Sequence, residues 1–297
     1  MSSNISFPEL GKNGWPWVKK ASEYAYVDQR KHFDGPWPKI SIVTPSFNQA
    51  DYIEETILSI IFQDYPNLEF IVIDGGSIDG SIDTIDKYES SIDYWISEPD
   101  RGSGDAIAKG FNRATGDIFV WLNTDDLLLP GALHTVARKF MISPSTDWII
   151  GEAIEIDSES GLLRPWFSPQ IHYSTLLFSG CWFHQPASFW RRSIYNKVEG
   201  FDSTFQFAYD YDLFLRMAAI TRPVMIRQFL AAFRFHSKSK TMTMPHVCRS
   251  DMAILQERHG AGKYPLVFRN LFKELFLRYV DRMNQLKRWM WQRSQYV

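Results

Sequence analysis

Twice in the first third of the chain, an apolar β-branched run stops at a short polar loop and a segment of helical period follows. Ile40-Ser41-Ile42-Val43-Thr44 is halted by Pro45. Beyond it, residues 51–62 bring Ile53, Ile57, Ile60 and Ile61 round at helical spacing, with Glu54 and Glu55 in the turn where a helix dipole favours acids. Residues 68–73 then run apolar into Asp74-Gly75-Gly76-Ser77, ahead of a helix-like stretch at 81–88. Strand, helix and strand in this order predict a βαβ unit, hence a parallel sheet with right-handed crossovers. Ligands bind such sheets outside the carboxyl ends of the strands, near the point where strand order reverses. Asp74 sits at one such end.

The pattern continues with a short strand at 94–97, a helix at 105–114 and a strand at 118–122 that runs into Asn123-Thr124-Asp125-Asp126. A helix is predicted at 131–140, a strand at 148–156, an irregular aromatic stretch at 165–184, a helix at 210–219 and a long amphipathic helix at 266–291. With 297 residues and a hydrophobic fraction of 45%, the chain suits one packed α/β core with appendages. The expected division is an N-terminal extension at 1–38, a core domain at 39–245 and a C-terminal helical tail at 246–297.

A formal net charge of −2 supplies no overall pull toward nucleic acid, so any anion must be held by a local site. Cys181 and Cys248 are too few for a disulfide framework or a cysteine-rich zinc site, which fits a reduced, cytoplasmic setting. The first residues lack a basic start followed by an apolar run, and no stretch reaches the ~18 apolar residues of a membrane span. The chain is therefore expected to be soluble or peripheral on the inner face of the cell membrane. Arg269, Lys273, Arg278, Arg282, Lys287, Arg288 and Arg293 outnumber Glu274 and Asp281 in the tail, interleaved with Leu, Phe and Trp. That composition suits a helix lying on anionic lipid, and packing against the core accounts for its apolar residues equally well.

Five groups of residues can carry chemistry. Asp125 and Asp126 repel one another at a strand end unless a cation, solvent or hydrogen bonds offset the repulsion, which suggests Mg²⁺ or Mn²⁺ held by oxygens and shared with substrate phosphates. A helix-capping turn is the alternative. Asp74-Gly75-Gly76-Ser77 lets backbone approach a ligand while Asp74 accepts from ribose or base, or it is only a tight connection. Asp210 and Asp212 open a helical stretch two positions apart, so at most one faces a common site and the other serves the helix dipole. His236 lies among cations in Arg234-Phe-His-Ser-Lys-Ser-Lys240, a set suited to a diphosphate or metal. His184 follows Trp182 and Phe183, rings that stack on sugars or fill a core. Neither the spaced-glycine dinucleotide motif nor the Gly-x-x-x-x-Gly-Lys phosphate loop occurs.

Taken in order, Ser41-Ile-Val-Thr-Pro-Ser-Phe-Asn48, Glu69-Phe-Ile-Val-Ile-Asp-Gly-Gly-Ser-Ile-Asp-Gly80, Glu98-Pro-Asp-Arg-Gly102, Trp121-Leu-Asn-Thr-Asp-Asp126 and Tyr209-Asp-Tyr-Asp-Leu213 resemble the family 2 glycosyltransferases. These are inverting enzymes with a GT-A fold that transfer a sugar from a nucleotide diphosphate. The resemblance covers residues 39–240 and implies that 39–245 is a GT-A catalytic domain, with nucleotide-sugar binding at about 39–130 and the acceptor side at about 131–245. It implies a Rossmann-like, mainly parallel sheet flanked by helices, with Pro45, Ser46 and Asp74 at the nucleoside and Arg101 and Asp105 beside the base or sugar. Gly76, Asn123, Thr124 and His184 complete the implied donor set. Asp125 takes the place of the metal-binding acid in the family's Asp-x-Asp motif, which here opens with Asn123, leaving Asp126 to compensate. His236 resembles a histidine that closes over the diphosphate and is expected to share the Mn²⁺ or Mg²⁺. Asp210 matches the acid of a Glu-Asp pair and is the implied general base, with Tyr209 in the Glu position and Asp212 as second candidate. By analogy the donor is a UDP-sugar and the acceptor a glycan or lipid-linked hydroxyl in cell-surface polysaccharide or glycolipid assembly. A sugar nucleotidyltransferase is the alternative, but it lacks the expected glycine-rich opening after residues 40–44. A noncatalytic nucleotide-sugar binder stays open because of Asn123 and Tyr209.

Overall fold

In a computed structural model of the chain, the described residues are 10–16, 35–202, 204–205 and 207–294. They form one mixed sheet of nine strands, with helices on both faces. The predicted βαβ unit is present as β1 (Ile40–Ser46), α1 (Ile53–Ile61) and β2 (Leu68–Asp74), followed by α2 (Ser81–Lys87), β3 (Tyr94–Ser97), α3 (Ser103–Arg113) and β4 (Ile118–Trp121). β3, β2, β1 and β4 lie side by side, all parallel. Their register brings Ser46, Asp74 and Ser97 into one row at the carboxyl ends. The chain passes from β1 to β2 on one side and later returns to β4 on the other, so the reversal of strand order falls between β1 and β4.

The second half is built from β5 (Leu127–Leu128), α4 (Ala132–Ile142), β6 (Trp148–Ile156), β7 (Leu162–Trp166), α5 (Tyr173–Ser179), β8 (Ser188–Arg191), α6 (Arg192–Lys197), α7 (Tyr209–Ile220) and β9 (Val224–Arg234). β8 joins β4 to β6 antiparallel, and β9 runs parallel to β6 and antiparallel to β5. Strand side chains alternate between two cores. Phe70 and Val72 meet Ile53, Ile57 and Ile60 of α1, while Ile71 and Ile73 belong to the opposite core with Ile107 and Phe111 of α3.

Two stretches depart from the sequence reading. Residues 165–184, expected to be irregular, contain α5 and the end of β7, because Leu176-Leu177-Phe178 is too short a run to show a period. β9 is an eleven-residue strand that Arg227 and Gln228 disguise, since both are exposed where its register against β6 shifts.

The appendages are anchored. Trp15 is fully buried and its indole N–H donates to the Leu128 carbonyl at 2.9 Å, so the described part of the N-terminal extension covers the core beside β5. Three helices close the chain, α8 (Lys240–Thr243), α9 (Pro245–Arg258) and α10 (Leu266–Ser294). α10 is fixed by Asn284, whose amide exchanges hydrogen bonds with both backbone groups of Phe167 at 2.9 and 3.1 Å. Lys287 reaches Glu152 at 3.3 Å. Among the described residues, no helix is long and apolar enough to cross a membrane.

Candidate active site

A cleft of about 630 Å³ opens where the strand order reverses, a size suited to one nucleotide-sized ligand. Residues 45–49 after β1 form one wall and residues 123–126 after β4 another; Gly75, Asp100, Gly102 and Ser103 close one end. Phe233 and Arg234 of β9 and residues 238–241 complete it. Pro45, Ser46, Asn123, Thr124, Asp125 and Asp126 are thus brought together as expected. The hydroxyls of Ser46 and Ser239 are buried without a hydrogen-bond partner among the described residues. Such groups carry a desolvation cost that a polar ligand would relieve.

On the β4 side, Asp125 Oδ2 and His236 Nε2 are 2.9 Å apart, and the other ring nitrogen of His236 is buried and unpartnered among the described residues. Tyr52 packs against the His236 ring at 4.7 Å between centroids. Asp126, also in the cleft wall, is engaged within that wall. It is buried, its Oδ1 accepts the backbone N–H of Arg234 at 3.0 Å, and burial together with the adjacent Asp125 charge pushes its carboxyl well above the usual range. Asp126 is therefore part of the wall's internal hydrogen bonding. No group of three or more His, Cys, Asp and Glu side chains converges among the described residues. One carboxylate and one imidazole still fit a divalent cation that takes its remaining ligands from substrate phosphates and water.

Behind this wall lies a buried network that composition alone does not reveal. Arg234 is 1% exposed, and its guanidinium pairs with Glu55 while donating to the Asp125 carbonyl at 2.8 Å, the Asp157 carbonyl at 3.1 Å and Ser160 Oγ at 2.9 Å. The guanidinium thus holds the backbone of the acidic loop, while the Arg234 amide holds the Asp126 carboxylate.

Asp210 stands at the start of α7, where its Oδ1 accepts the Tyr211 N–H at 2.7 Å. Burial raises its carboxyl to about 6, opposed by backbone hydrogen bonds and the Lys240 charge. Lys240 lines the cleft and donates to Ser103 Oγ at 2.7 Å, and Ser103 also meets the Tyr209 hydroxyl at 2.9 Å. Asp210 does not itself line the cleft, and the charge of Lys240, which does, acts on its carboxyl.

Several residues named from sequence lie elsewhere. Asp212 is fully buried, and its Oδ2 accepts from Arg216 at 2.6 and 2.8 Å, so it is corrected from second base to an ion-pair partner within the fold. Asp74 is also fully buried. Its oxygens accept from the Gly76 and Ser77 amides and the Ser77 and Ser97 hydroxyls at 2.5–3.0 Å, which occupies it in shaping the loop. Gly76, at φ +84°, makes that turn, while Gly75 lines the cleft. Arg101 is exposed and pairs with Asp105 at 2.7 Å, outside the cleft. His184 bonds Glu155 at 3.1 Å and stacks on Phe233 at 4.5 Å, so it supports a cleft ring from behind.

Asp100, Ser103 and Phe233 line the cleft as well. Within Glu98-Pro-Asp-Arg-Gly102 it is Asp100 and not Arg101 that faces the cleft, which the motif alone does not indicate. A Cβ on Gly75 would stand 2.8 Å from Asp100 Oδ2. Gly75→Ala should therefore push the end of the Asp100 side chain aside, a shift that leaves the melting temperature nearly unchanged but should weaken binding of a nucleotide in the cleft about tenfold, or ~1.4 kcal/mol. Calorimetric titration checks this; unaltered affinity would remove Asp100 from the site.

Crossover topology, a cleft at the strand reversal and an acidic loop on its wall together define a glycosyltransferase of the GT-A class. The family model for glycosyl transferase family 2 matches residues 41–199, and the chain belongs to that family. It is 32% identical over 202 residues to an uncharacterised glycosyltransferase of Mycobacterium tuberculosis, covering 66% of this chain and 75% of that protein. Among solved structures it is similar to Staphylococcus aureus TarS 1–349 in complex with UDP-GlcNAc, with a TM-score of 0.58 and 17% identity over 73% of this chain and 66% of that one. The chain spans 39% of another TarS chain. A mannosyltransferase of Pyrobaculum calidifontis in complex with GDP-Man and Mn²⁺ gives a TM-score of 0.55 at 18% identity, covering 81% of this chain and 71% of that one.

Proposed function

We propose that this glycosyltransferase moves a sugar with inversion from a UDP-sugar to a hydroxyl of a glycan or lipid-linked acceptor in cell-surface polysaccharide or glycolipid assembly. The observation that carries the donor half is the cleft itself, lined by Ser46 and Ser239, whose hydroxyls have no partner among the described residues, by Asp125, which bonds His236, and by Lys238 and Lys240. These are the groups a nucleoside diphosphate requires, hydroxyl donors for its polar edges and cations for its charge. UDP is chosen because the TarS complex holds a uridine nucleotide.

Asp210 takes the proton from the acceptor hydroxyl as that oxygen forms a bond to the anomeric carbon. The bond from that carbon to the diphosphate oxygen breaks with its electron pair, and Lys238 and Lys240 stabilise the departing charge. Attack opposite the leaving group inverts the configuration, and no covalent enzyme intermediate arises. Asp125 and His236 would hold Mn²⁺ or Mg²⁺, which when bound supplies further neutralisation of the diphosphate.

The test is calorimetric titration with UDP, GDP and their sugar conjugates, each with and without Mn²⁺. The expected result is tight binding of the uridine series, strengthened by Mn²⁺, with Asp125→Ala abolishing the Mn²⁺ effect at unchanged melting temperature. Preference for the guanosine series would overturn the donor assignment. Binding of neither would overturn the reading of the cleft.

A further inference from the structure

The sequence left two roles for the last helix, packing on the core or lying on lipid, and the structure divides them between two faces. One face of α10 is closed by the catalytic domain through Val280, Asn284 and Lys287. On the other, Leu271, Leu275, Tyr279, Leu286 and Trp289 follow one another at helical spacing and are all at least half exposed. This stripe spans much of a helix of 29 residues, about 43 Å at 1.5 Å per residue. An apolar row of that length left in water marks an interaction surface.

The charge around it selects the occupant. α10 holds seven Lys and Arg against two acids, a formal +5, whereas the whole chain is −2 and everything outside the helix is therefore −7. Positive charge is concentrated on the one element that exposes the apolar row. Arg282 continues the row between Tyr279 and Leu286, and the Arg293 guanidinium lies 4.1 Å from the Trp289 ring centroid. Apolar side chains with interleaved arginines, and Tyr and Trp in the same row, suit the boundary between acyl chains and anionic headgroups. A second copy of the helix would bring like charges together along its length.

We infer that the solvent face of α10 binds an anionic lipid bilayer, with the Leu271-to-Trp289 row inserted and its arginines among the headgroups. Because the inner face is fixed to β6 and the strand-edge residue Phe167, the catalytic domain is held rigidly on the surface, not tethered to it. This inference does not depend on the donor reading, which nucleotide titration tests in solution.

The experiment is co-sedimentation of the full chain with vesicles of phosphatidylglycerol and phosphatidylcholine, and with phosphatidylcholine alone, at low and high salt. Binding is expected on the anionic vesicles, weaker by about tenfold or more on the neutral ones and in high salt. Leu275→Gln with Leu286→Gln should lower the partition coefficient by a further factor of about ten or more, and Arg282→Glu should do so only at low salt. Nucleotide affinity and melting temperature should stay unchanged in both variants. Binding equal on neutral and anionic vesicles, binding unaffected by the paired Gln variant, or none at all would overturn the inference. A concentration-dependent dimer in light scattering that the Gln variant dissolves, without vesicle binding, would assign the face to a second copy instead.

Discussion

Replacing Asp210 by Asn is expected to lower the transfer rate by about 10²–10⁴-fold, the usual contribution of a positioned general base, without loss of fold. The carboxyl is raised to about 6 by burial at the head of α7, so it is a stronger base than an exposed Asp yet still ionised at neutral pH. The wild-type rate should accordingly fall on acidification through about pH 6. The effect on stability has the opposite sense. The native state holds this proton more tightly than the unfolded chain, whose Asp titrates near ~3.9. The stabilisation is full below that value and is lost as pH rises through about 6. At neutral pH the uncharged Asn therefore removes an unfavourable buried charge, and the variant should melt no lower than wild type. Rate against pH for the wild type, with melting curves for both proteins, checks the prediction. A near-normal rate in Asp210→Asn, or a wild-type profile flat from pH 5 to 8, would place the base elsewhere.

The second large effect concerns the buried cation behind the acidic loop. Arg234→Met keeps much of the volume but takes the guanidinium away from the buried Glu55 carboxylate, and breaking a buried ion pair from one side typically costs about 3–5 kcal/mol. It also releases the Asp125 carbonyl, so Mn²⁺ affinity should fall alongside stability. Adding Glu55→Gln removes the buried negative charge and should restore part of the stability but not the metal affinity, because the Asp125 carbonyl stays released. Denaturant unfolding of the single and double variants, with Mn²⁺ titration of each, separates the two effects. If Arg234→Met cost less than about 1 kcal/mol, the network would be incidental to the wall.

The candidate site was legible in sequence where the chemistry depends on short-range pattern. Pro45 and Ser46, and the run from Asn123 to Asp126, end apolar runs, and a parallel sheet can deliver strand ends to only one edge. Hence their meeting in the cleft follows from periodicity and topology. The roles of individual carboxylates were not legible in the same way. Asp74, Asp126 and Asp212 read as chemistry because they are acids beside strand ends or at a helix start. Each is instead engaged by donors that folding brings to it, the Ser77 and Ser97 hydroxyls at Asp74, the Arg234 amide at Asp126 and, at one oxygen of Asp212, the Arg216 guanidinium. Arg234 is the converse, a cation that looked free to meet phosphate and is held by a Glu 179 positions away.

The amino-acid sequence by itself determined the βαβ order, the edge of the sheet that carries the site, the family, and the basic amphipathic character of the last helix. All of these rest on spacing along the chain, which periodicity and charge record directly. Only the tertiary structure decided which acids keep lone pairs for a ligand, that Asp100 and Ser103 stand in the cleft, and which face of α10 meets the core. Those outcomes depend on partners far apart in sequence, and whether a polar group is spent or available is settled by what burial places within hydrogen-bond distance of it.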